Sequence, residues 1–458
     1  MRSNSLVEMD RNHLIHPVAS WVGHERRGAT ILEAGEGVYL LDTEGNRVLD
    51  GFAGLWCVNV GYGQGSVVEA AAAQMRKLPY ATGYFSYASE PAVRLAARLA
   101  ELTPGDLNHI YFTLGGSDAV DSAIKFIRYY WNARGETRRV NMIALERGYH
   151  GSTTSGSGLT ALPVFHHNFN VPGPDQHHIP SPYAYRHRTG VAADVIADSV
   201  AALRAKVEAL GADTVAAFFC EPVQGSGGVI VPPPGWLKAM REACRELGIL
   251  FVADEVITGF GRTGQMFACE HDGVAPDLMT MAKGLTSGYA PMGAVALSDA
   301  VYRTIADGAP GKMAIGHGFT YSGHPVSAAV GLEVLRLYTD EGVLANGQQS
   351  GRYLGERLRE FADHPLVGEV RSQGLLAGIE LVANKQTKVR HAPELNLPDR
   401  LAAAGYRNQV IFRAFGDNMI GLAPALTITT SEIDLLVDRL ATTLDEVLEE
   451  KEVRDATD

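Results

Sequence analysis

Two short apolar runs within residues 248–293, each followed at once by charged residues, constrain the fold of this chain most strongly. The runs cover residues 249–253 and 278–282, and they lead into Asp254 and Lys283. Short continuous apolar runs bounded by turn residues are typical of buried parallel strands. In an open α/β sheet, binding sites form outside the carboxyl ends of such strands. The sequence therefore predicts a mostly parallel α/β sheet that brings an acid and an amine to one edge.

An amine and a carboxylate at one sheet edge suit the chemistry of pyridoxal phosphate. Desolvation pushes a lysine toward its neutral, nucleophilic form, which can hold the aldehyde as a Schiff base and later move a proton. A carboxylate beside the pyridine nitrogen keeps that nitrogen protonated, so the ring can accept electrons. We therefore assign Lys283 and Asp254 to these two catalytic roles. The alternative is two ordinary strand-end residues, one solvated and one capping a helix.

Composition limits the class of protein. With 458 residues, 46% hydrophobic and 20% charged, the chain has the size for two domains and the make-up of a soluble globular protein. The net charge of -12 argues against a nucleic-acid partner. The four cysteines show no Cys-x-x-Cys spacing and are expected to be reduced. We find neither an apolar signal core nor an apolar run of the ~20 residues that cross a bilayer, so we expect a cytoplasmic protein without a membrane partner.

A glycine pair between a predicted strand and a long helix indicates a phosphate site. Residues 110–131 read IYFTLGGSDAVDSAIKFIRYYW. Glycines let the backbone approach a ligand closely, and the start of a helix offers free N–H groups to an anion. We interpret Gly115, Gly116, Ser117 and Asp118 as the cup for the cofactor phosphate. A plain N-cap role for Ser117 is the alternative.

Two further predicted strands end in residues that suit the same site. Tyr149 and His150 follow the apolar residues 140–145, and an aromatic side chain at such a strand end can stack on a pyridine ring. A histidine there is more often structural than catalytic. Glu221 closes the strand VAAFFC and is the third acid or amine at this edge, with a solvated strand end as its alternative.

Candidates for substrate contacts are scattered along the chain. Trp21 and Trp56 can wall a pocket or be core aromatics, and Phe85 is a weaker candidate of the same kind. Arg413 stands alone in the predicted apolar strand VIFRAF, where it either faces solvent or serves the site.

Two motifs suggest other chemistry and are set aside. Residues 259–264, GFGRTG, match the glycine fingerprint of dinucleotide-binding folds, but a second strand follows where a helix is required. The histidine pairs at 166–167 and 177–178 lack the carboxylate and cysteine partners of a dedicated metal site. We expect a proline-rich loop over residues 165–190 and no metal.

The chain resembles the class III pyridoxal-phosphate aminotransferases, the ω-aminotransferase group. The resemblance extends from about residue 14 to about residue 440 and rests on an ordered series of motifs. These are GLWCVNVGYG, GGSDAVDSAIK, RGYHGST, EPVQG, VADEVITGFGRTG, PDLMTMAKGLTSGYAPMGAV, GFTYSGHP and VIFRAFGDNMIGLAPAL. It implies a fold-type I transferase with a large domain around a mostly parallel seven-stranded sheet and a smaller α/β domain. We expect an amino-terminal segment associated with the small domain (1–60), a large cofactor-binding domain (61–325) and a carboxyl-terminal small domain (326–458).

The resemblance implies how the cofactor is held. It puts Gly116 and Ser117 at the phosphate, and Tyr149 and Val256 on opposite faces of the pyridine ring, with Tyr149 also facing the substrate. Glu221 is implied to lie close to the cofactor.

The resemblance also implies how substrates and a second subunit take part. Trp56 matches a residue of the substrate pocket, and Arg413 matches a mobile arginine that clamps a carboxylate, for which its fork geometry is suited. Thr320 matches a residue that reaches the phosphate of the neighbouring subunit, which implies a homodimer with shared active sites and leaves a tetramer open. Ile257 replaces the glutamine usual in ornithine- and GABA-type members, and this points to the amine:pyruvate branch.

Together these features predict a pyridoxal-phosphate-dependent ω-aminotransferase. It would move an amino group from an amine or ω-amino acid, such as β-alanine, taurine, a diamine or an aryl-alkyl amine, to a keto acid, with pyruvate the expected acceptor. A decarboxylase or racemase using the same cofactor would share Lys283 and Asp254. A nicotinamide-dependent dehydrogenase rests on the GFGRTG motif alone.

Overall fold

A computed structural model of the protein describes residues 5–308 and 313–457. In these ranges the strands form three sheets. The strands are β1 (Leu32–Glu36), β2 (Tyr39–Asp42), β3 (Arg47–Asp50), β4 (His109–Thr113), β5 (Asn141–Leu145), β6 (Gln176–Ile179), β7 (Val215–Cys220), β8 (Leu250–Asp254), β9 (Leu278–Met281), β10 (Gly293–Leu297), β11 (Val367–Gln373), β12 (Leu376–Leu381), β13 (Val410–Ile411), β14 (Arg413–Phe415) and β15 (Met419–Leu422).

Helices surround these sheets. They are α1 (Leu6–His13), α2 (Trp21–Arg27), α3 (Ala53–Trp56), α4 (Gly65–Lys77), α5 (Glu90–Leu102), α6 (Gly116–Ala133), α7 (Thr154–Leu159), α8 (Ala192–Leu210), α9 (Trp236–Leu247), α10 (Asp299–Gly308), α11 (Pro325–Asp340), α12 (Val343–Leu358), α13 (Leu397–Arg407), α14 (Thr430–Glu449) and α15 (Lys451–Arg454). None of these described helices has both the length and the apolar character needed to cross a bilayer.

The large sheet has seven strands in the order β4-β10-β9-β8-β7-β5-β6. β10 pairs antiparallel with both of its neighbours, whereas β9, β8, β7, β5 and β6 pair in parallel. Every residue of β8 and β9 is buried, which explains why these strands are continuous apolar runs in the sequence. The sheet confirms the predicted α/β class.

Side chains that alternate along the strands build a core on each face of this sheet. Met142 and Ala144 pack with buried residues of α6, while Ile143 and Leu145 pack with buried residues of α8 and α9. Helix α6 buries residues spaced three and four apart, as an amphipathic helix does when one side faces a sheet. Because both faces are covered, ligands can reach the sheet only at the strand ends.

The amino-terminal and carboxyl-terminal parts of the chain share a sheet. β2 and β3 form an antiparallel hairpin, and β3 then pairs in parallel with β13. A separate antiparallel sheet, β11-β12-β15-β14, carries the rest of the carboxyl-terminal strands. This pairing suits the predicted association of residues 1–60 with the small domain, although the domain boundaries themselves stay a prediction.

Two sequence predictions were wrong in detail. The apolar run VIFRAF is not one strand, because it breaks at Phe412 into β13 and β14, which belong to different sheets. The ring of Phe412 packs so closely on Gly405 that a β-carbon there would lie 2.6 Å from it. Residues 165–190 are not only loop, because Gln176–Ile179 form the edge strand β6. Its polar composition hid it.

Candidate active site

Four parallel strands of the large sheet deliver functional side chains to one cavity. Tyr149, Glu221, Asp254 and Lys283 follow or end β5, β7, β8 and β9, and all four line a cavity of about 350 Å3. This volume lies within the range of small-molecule sites. The sequence predicted that these residues would meet at one sheet edge, and they do so.

Asp254 is fixed by a buried histidine. Its Oδ2 lies 2.8 Å from Nδ1 of His150, and its Oδ1 accepts the N–H of Val256 at 3.2 Å. Both side chains of the pair are almost completely buried. Burial alone would lower the pKa of His150, but the hydrogen bond to Asp254 and the charges of Asp254 and Glu221 outweigh it and raise that pKa. The imidazole therefore holds the Asp254 side chain in place at the cavity.

The neighbouring acid, Glu255, has a different and structural role. Its carboxylate accepts the backbone N–H groups of Ala268 and Cys269 at 3.1 and 2.8 Å and the hydroxyl of Thr258. Successive residues at a strand end point to opposite sides. Asp254 therefore faces the cavity, whereas Glu255 holds the turn beneath it.

Lys283 begins a short 3-10 turn directly after β9 and lines the same cavity. Its φ of 41° lies in the left-handed region, which a residue with a long side chain seldom adopts. Burial lowers the pKa of its ammonium group, against the opposing charges of Cys57, Asp254 and Glu221. The backbone thus holds this amine in a place where its neutral, nucleophilic form is favoured.

Glu221 is held by two backbone donors. Its Oε1 accepts the N–H of Tyr149 and its Oε2 accepts the N–H of Gly225, both at 2.9 Å. Burial raises the pKa of this carboxyl to about 7, while the charge of His150 opposes the shift. Glu221 therefore positions the backbone of Tyr149 at the cavity wall.

The first turn of α6 is built to receive an anion. Gly115 is the N-cap residue and provides no side-chain cap. A β-carbon on Gly116 would lie 2.9 Å from Cγ1 of Val256, so only glycine leaves this approach open. Ser117 is not the N-cap, and its Oγ accepts the N–H of Ser152 at 3.1 Å. The backbone N–H groups at this helix start remain available to a phosphate.

Asp118 does not belong to the cup. Its Oδ2 accepts the backbone N–H of Leu114 at 2.6 Å and so closes the turn between β4 and α6. The predicted cup of four residues thereby reduces to Gly115, Gly116 and Ser117, which line the cavity.

The cavity has the chemistry that pyridoxal phosphate requires. The cavity is lined by an amine of lowered pKa (Lys283), a carboxylate (Asp254), an aromatic ring (Tyr149) and the start of α6, which can bind an anion. The clearance kept by Gly116 beside Val256 leaves room for a ligand where a side chain would fill it. The residues present therefore fit this cofactor.

Comparison with known proteins agrees with this geometry. The sequence signature described as aminotransferase class III matches residues 22–444. The putrescine–pyruvate aminotransferase of Pseudomonas aeruginosa is 42% identical over 440 residues, covering 96% of this chain and 95% of that protein. The diaminobutyrate–2-oxoglutarate transaminase of Halomonas elongata is 38% identical over 444 residues, covering 95% and 94%.

The chain is a class III aminotransferase. Such enzymes depend on pyridoxal phosphate and transfer an amino group from an amine to a keto acid. Solved structures agree with this family. An (S)-enantioselective ω-transaminase from Thermomicrobium roseum has a TM-score of 0.94 and 42% identity, covering 98% of this chain and 99% of that chain. The ω-transaminase of Pseudomonas jessenii in complex with PMP has a TM-score of 0.95 and 36% identity, covering 98% and 99%.

In this aminotransferase Trp56 lies in a buried apolar cluster that also contains Ile257, and Ile257 lines the cavity. Its ring lies 4.6 Å from that of Phe52 and 6.4 Å from that of Phe415. The indole Nε1 is buried and makes no hydrogen bond to any described residue. Trp56 is thus a core aromatic, one of the two predicted alternatives, and its role as a wall of the substrate pocket stays a prediction.

Arg413 of the aminotransferase lies on β14, with its guanidinium carbon 5.6 Å from the centre of the Phe415 ring. Among the described residues no acid forms a salt bridge with it. An unpaired cation over the Trp56–Phe415 stack is available to a carboxylate ligand.

Besides Trp56 and Arg413, which do not line the cavity either, three predicted site residues lie away from it in this chain. Trp21 and Phe85 are 65% and 85% exposed, and Thr320 is also exposed. None of them lines the cavity that holds Lys283. A single aminotransferase chain therefore does not bring these three residues to its own site.

Two features of the aminotransferase site escaped the sequence predictions. Cys57 lines the cavity, and burial raises the pKa of its thiol. Arg262 of the GFGRTG motif is completely buried and donates to Oδ1 of Asn59 at 2.6 Å and to the carbonyl of Pro424 at 2.5 Å. The motif therefore connects distant segments of the chain through hydrogen bonds and is not a nucleotide-binding loop. The arginine within the motif is the feature of the sequence that could have indicated this structural role in place of nucleotide binding.

Proposed function

We propose that this aminotransferase binds pyridoxal phosphate in the cavity and transfers the amino group of a primary ω-amine to pyruvate. The observation that carries the proposal is that Lys283 and Asp254 line one cavity whose third side is the start of α6. Similarity to a putrescine–pyruvate aminotransferase and to ω-transaminases supports a diamine or arylalkyl amine as donor and pyruvate as acceptor.

When bound, the cofactor supplies an electron sink that stabilises negative charge at the donor carbon. Lys283 would hold its aldehyde through Nζ and, once displaced by the donor amine, would accept the proton from that carbon. The lowered pKa of Lys283 favours the neutral amine that both tasks need. Asp254, held in position by its hydrogen bond with His150, would hold the proton on the ring nitrogen.

The Trp56–Phe415 stack and Arg413 would divide substrate binding between them. An apolar donor would lie against the aromatic rings, whereas the carboxylate of pyruvate would pair with the unpaired guanidinium of Arg413. Because the two substrates take turns in one site, the arginine must be free to leave the pocket. Its exposed position at the edge of β14 supports this mobility.

We also propose that two chains form a dimer with shared active sites. Residues 80–87 and 318–322 lie together on one exposed surface, where Tyr80 donates from its hydroxyl to the carbonyl of Thr320 at 3.0 Å. Phe85 and Thr320 would reach the cavity of the partner across this surface. The same proposal includes the domain organisation, in which residues 1–60 associate with the small domain (326–458) and residues 61–325 form the large domain.

The decisive experiment replaces Lys283. Lys283→Ala should abolish the visible absorbance of the lysine-bound cofactor and reduce kcat for amine-to-pyruvate transfer at least about thousandfold. Lys283→Arg, which keeps a cation without a nucleophilic amine, should be equally inactive. Full turnover in either variant would remove Lys283 from its role.

A donor panel tests the substrate class. With pyruvate as acceptor, alanine production should be highest with putrescine or an arylalkyl amine, and no CO2 should be released from amino-acid donors. Release of CO2 without alanine would instead favour the decarboxylase alternative. Arg413→Ala should raise KM for pyruvate while the KM for an amine without a carboxylate stays within about twofold.

A further inference from the structure

Three side chains that can ligate a metal meet near the amino terminus, outside the active-site cavity. They are Asp10 on α1, His16 in the connection after α1, and His24 on α2. One ligand atom from each lies within 4.8 Å of the other two. None of the three lines the cavity of Lys283, so the proposed transamination does not use them.

Both imidazoles point their Nε2 atoms at one carboxylate. His16 Nε2 lies 2.7 Å from Oδ1 of Asp10, and His24 Nε2 lies 3.2 Å from its Oδ2. The two rings are only 4.5 Å apart at an angle of 49°. Three ligand atoms thus converge from two helices and their connection.

The cluster is incompletely satisfied by its own hydrogen bonds. Asp10 is only 7% exposed, yet its Oδ2 has no hydrogen-bond partner in the described part of the chain. The same holds for Nε2 of His24, because its approach to Asp10 lacks hydrogen-bonding geometry. A buried polar atom without a partner destabilises the fold by about 1–3 kcal/mol. A cation between these atoms would satisfy both.

We propose that Asp10, His16 and His24 bind a divalent first-row transition metal, with zinc as the ion that suits them best. Two imidazole nitrogens and a carboxylate oxygen are common zinc ligands, and three protein ligands leave a fourth position for water. Zinc bonds of about 2.0–2.2 Å set neighbouring ligand atoms roughly 3.3 Å apart. The three ligand atoms already lie within 4.8 Å of one another, so limited side-chain rotation brings them to this spacing.

The other histidine-rich part of the chain contrasts with this site. His166 and His178 direct their Nε2 atoms at backbone carbonyls of Thr160 and Leu159, and His177 at the side chain of Asn141. Those histidines already have partners. The expectation of no metal, which considered only those pairs, is revised by this proposal for the amino-terminal cluster.

The bound ion would join α1 to α2 and so fix the amino-terminal segment. Arg27, at the end of α2, lies 3.6 Å from Asp399 on α13, which connects this segment to the carboxyl-terminal part. Because metal binding to the folded segment alone shifts its unfolding equilibrium, zinc should stabilise the protein. The site is therefore structural, with an open coordination position.

The test uses the holoenzyme without a polyhistidine tag, after treatment with a chelator and dialysis. Zinc titration by calorimetry should give one ion per chain, and Co2+ should produce the visible bands of a tetrahedral site. His24→Ala should weaken zinc binding at least about tenfold and remove those bands, while His24→Cys, which supplies a thiolate ligand, should restore zinc binding. Transaminase activity monitored in parallel shows that each variant is folded.

His13→Ala is the matched control, because His13 is an exposed histidine on α1, the helix that also carries Asp10, and lies outside the cluster. Its zinc affinity should equal that of the unmodified enzyme. The proposal is overturned if the unmodified enzyme and His24→Ala take up the same amount of zinc, or if zinc binding is lost equally in His13→Ala. Absence of zinc binding would reduce the cluster to a pair of histidine–carboxylate contacts.

Discussion

At the scale of single residues, His150 supports the charge of Asp254. The pair is almost completely buried, and the imidazole is the principal partner of that carboxylate, together with one backbone N–H. Removing one member of a buried pair leaves the other charge without compensation. We expect His150→Ala to lower the free energy of unfolding by about 3 kcal/mol and to weaken cofactor binding.

Chemical denaturation and cofactor titration measure these two effects. His150→Asn should recover part of both losses, because its amide N–H can donate to Asp254 in place of Nδ1–H. His177→Ala is the control, since this half-buried histidine lies away from Asp254 and hydrogen-bonds to the side chain of Asn141. Equal losses in the alanine and asparagine variants would mean that the imidazole only fills space.

Glu221 makes stability depend on pH in a direction that its environment fixes. The folded state raises the pKa of Glu221 to about 7, above the ordinary value of about 4.3. Between these values the folded protein holds a proton that the unfolded chain releases, so this residue's contribution to stability falls as pH rises to about 7 and is constant above it. Full ionisation of Glu221 in the folded state destabilises the fold by about 4 kcal/mol.

Glu221→Gln should remove this pH dependence. Its free energy of unfolding, relative to that of the unmodified protein, should rise between pH 5 and 7. A constant offset is expected as well, because one of the two backbone N–H groups at Tyr149 and Gly225 loses its acceptor. Glu246→Gln, an exposed glutamate paired with Arg204, is the control and should give a flat difference. If the free energies of unfolding of Glu221→Gln and the unmodified protein changed in parallel with pH, the raised pKa of Glu221 would be contradicted.

The place of a residue in the site could be predicted from the sequence where its position at the end of a strand decides which way its side chain faces. Asp254 and Lys283 follow continuous apolar strands, so their place at the cavity followed from the sequence. His150 could not be assigned in this way, because its partner lies 104 positions away in the sequence. Cys57 was missed for a similar reason, since it reaches the cavity from a different part of the fold.

At the scale of elements, the start of α6 depends on the absence of a side chain at Gly116. A β-carbon there would lie 2.9 and 3.2 Å from the two methyl carbons of Val256. Gly116→Ala therefore forces Val256 into the cavity or moves the helix away from it. Overpacking of this kind costs about 1–3 kcal/mol, so we expect cofactor affinity to fall by roughly tenfold or more.

Absorbance titration of the apoenzyme with pyridoxal phosphate measures this loss. The double variant Gly116→Ala/Val256→Ala should regain most of the affinity, because it removes the atoms that collide. Gly65→Ala is the matched control, since Gly65 also begins a helix but has open space where a β-carbon would stand. Unchanged affinity in Gly116→Ala would show that the phosphate binds elsewhere.

Elements with one clear pattern were predicted well, and mixed patterns were not. The strands expected over residues 249–253 and 278–282 are β8 and β9. Local patterns cannot reveal that β13 and β14 belong to different sheets, because their partners, β3 and β15, are distant in sequence. Strand β6 was missed because it lies at the edge of the sheet and pairs only with β5, and a strand in this position can form from polar residues.

At the scale of the whole molecule, the exposed residues around Thr320 bear on assembly. Phe85 and Tyr321 are 85% and 55% exposed on the surface formed by residues 80–87 and 318–322. Exposed aromatic patches of this kind mark interaction surfaces. If Thr320 contacts the phosphate in the partner's cavity, Thr320→Ala should weaken cofactor binding by roughly tenfold, the effect of losing one charge-assisted hydrogen bond.

Mixed dimers decide whether that threonine acts across the interface. A dimer of one Lys283→Ala chain and one Thr320→Ala chain contains one site with both Lys283 and a partner's Thr320. This site should bind the cofactor with the affinity of the unmodified enzyme and restore about half of its activity at low cofactor concentration. If Thr320 served its own chain, every functional lysine would be combined with the alanine variant, and only weak binding would remain. In the control mixture, Thr304→Ala replaces Thr320→Ala; Thr304 is a half-buried threonine on α10, and this mixture should contain one intact site under either arrangement. The two outcomes differ in cofactor affinity, so a subunit exchange followed by absorbance titration separates them.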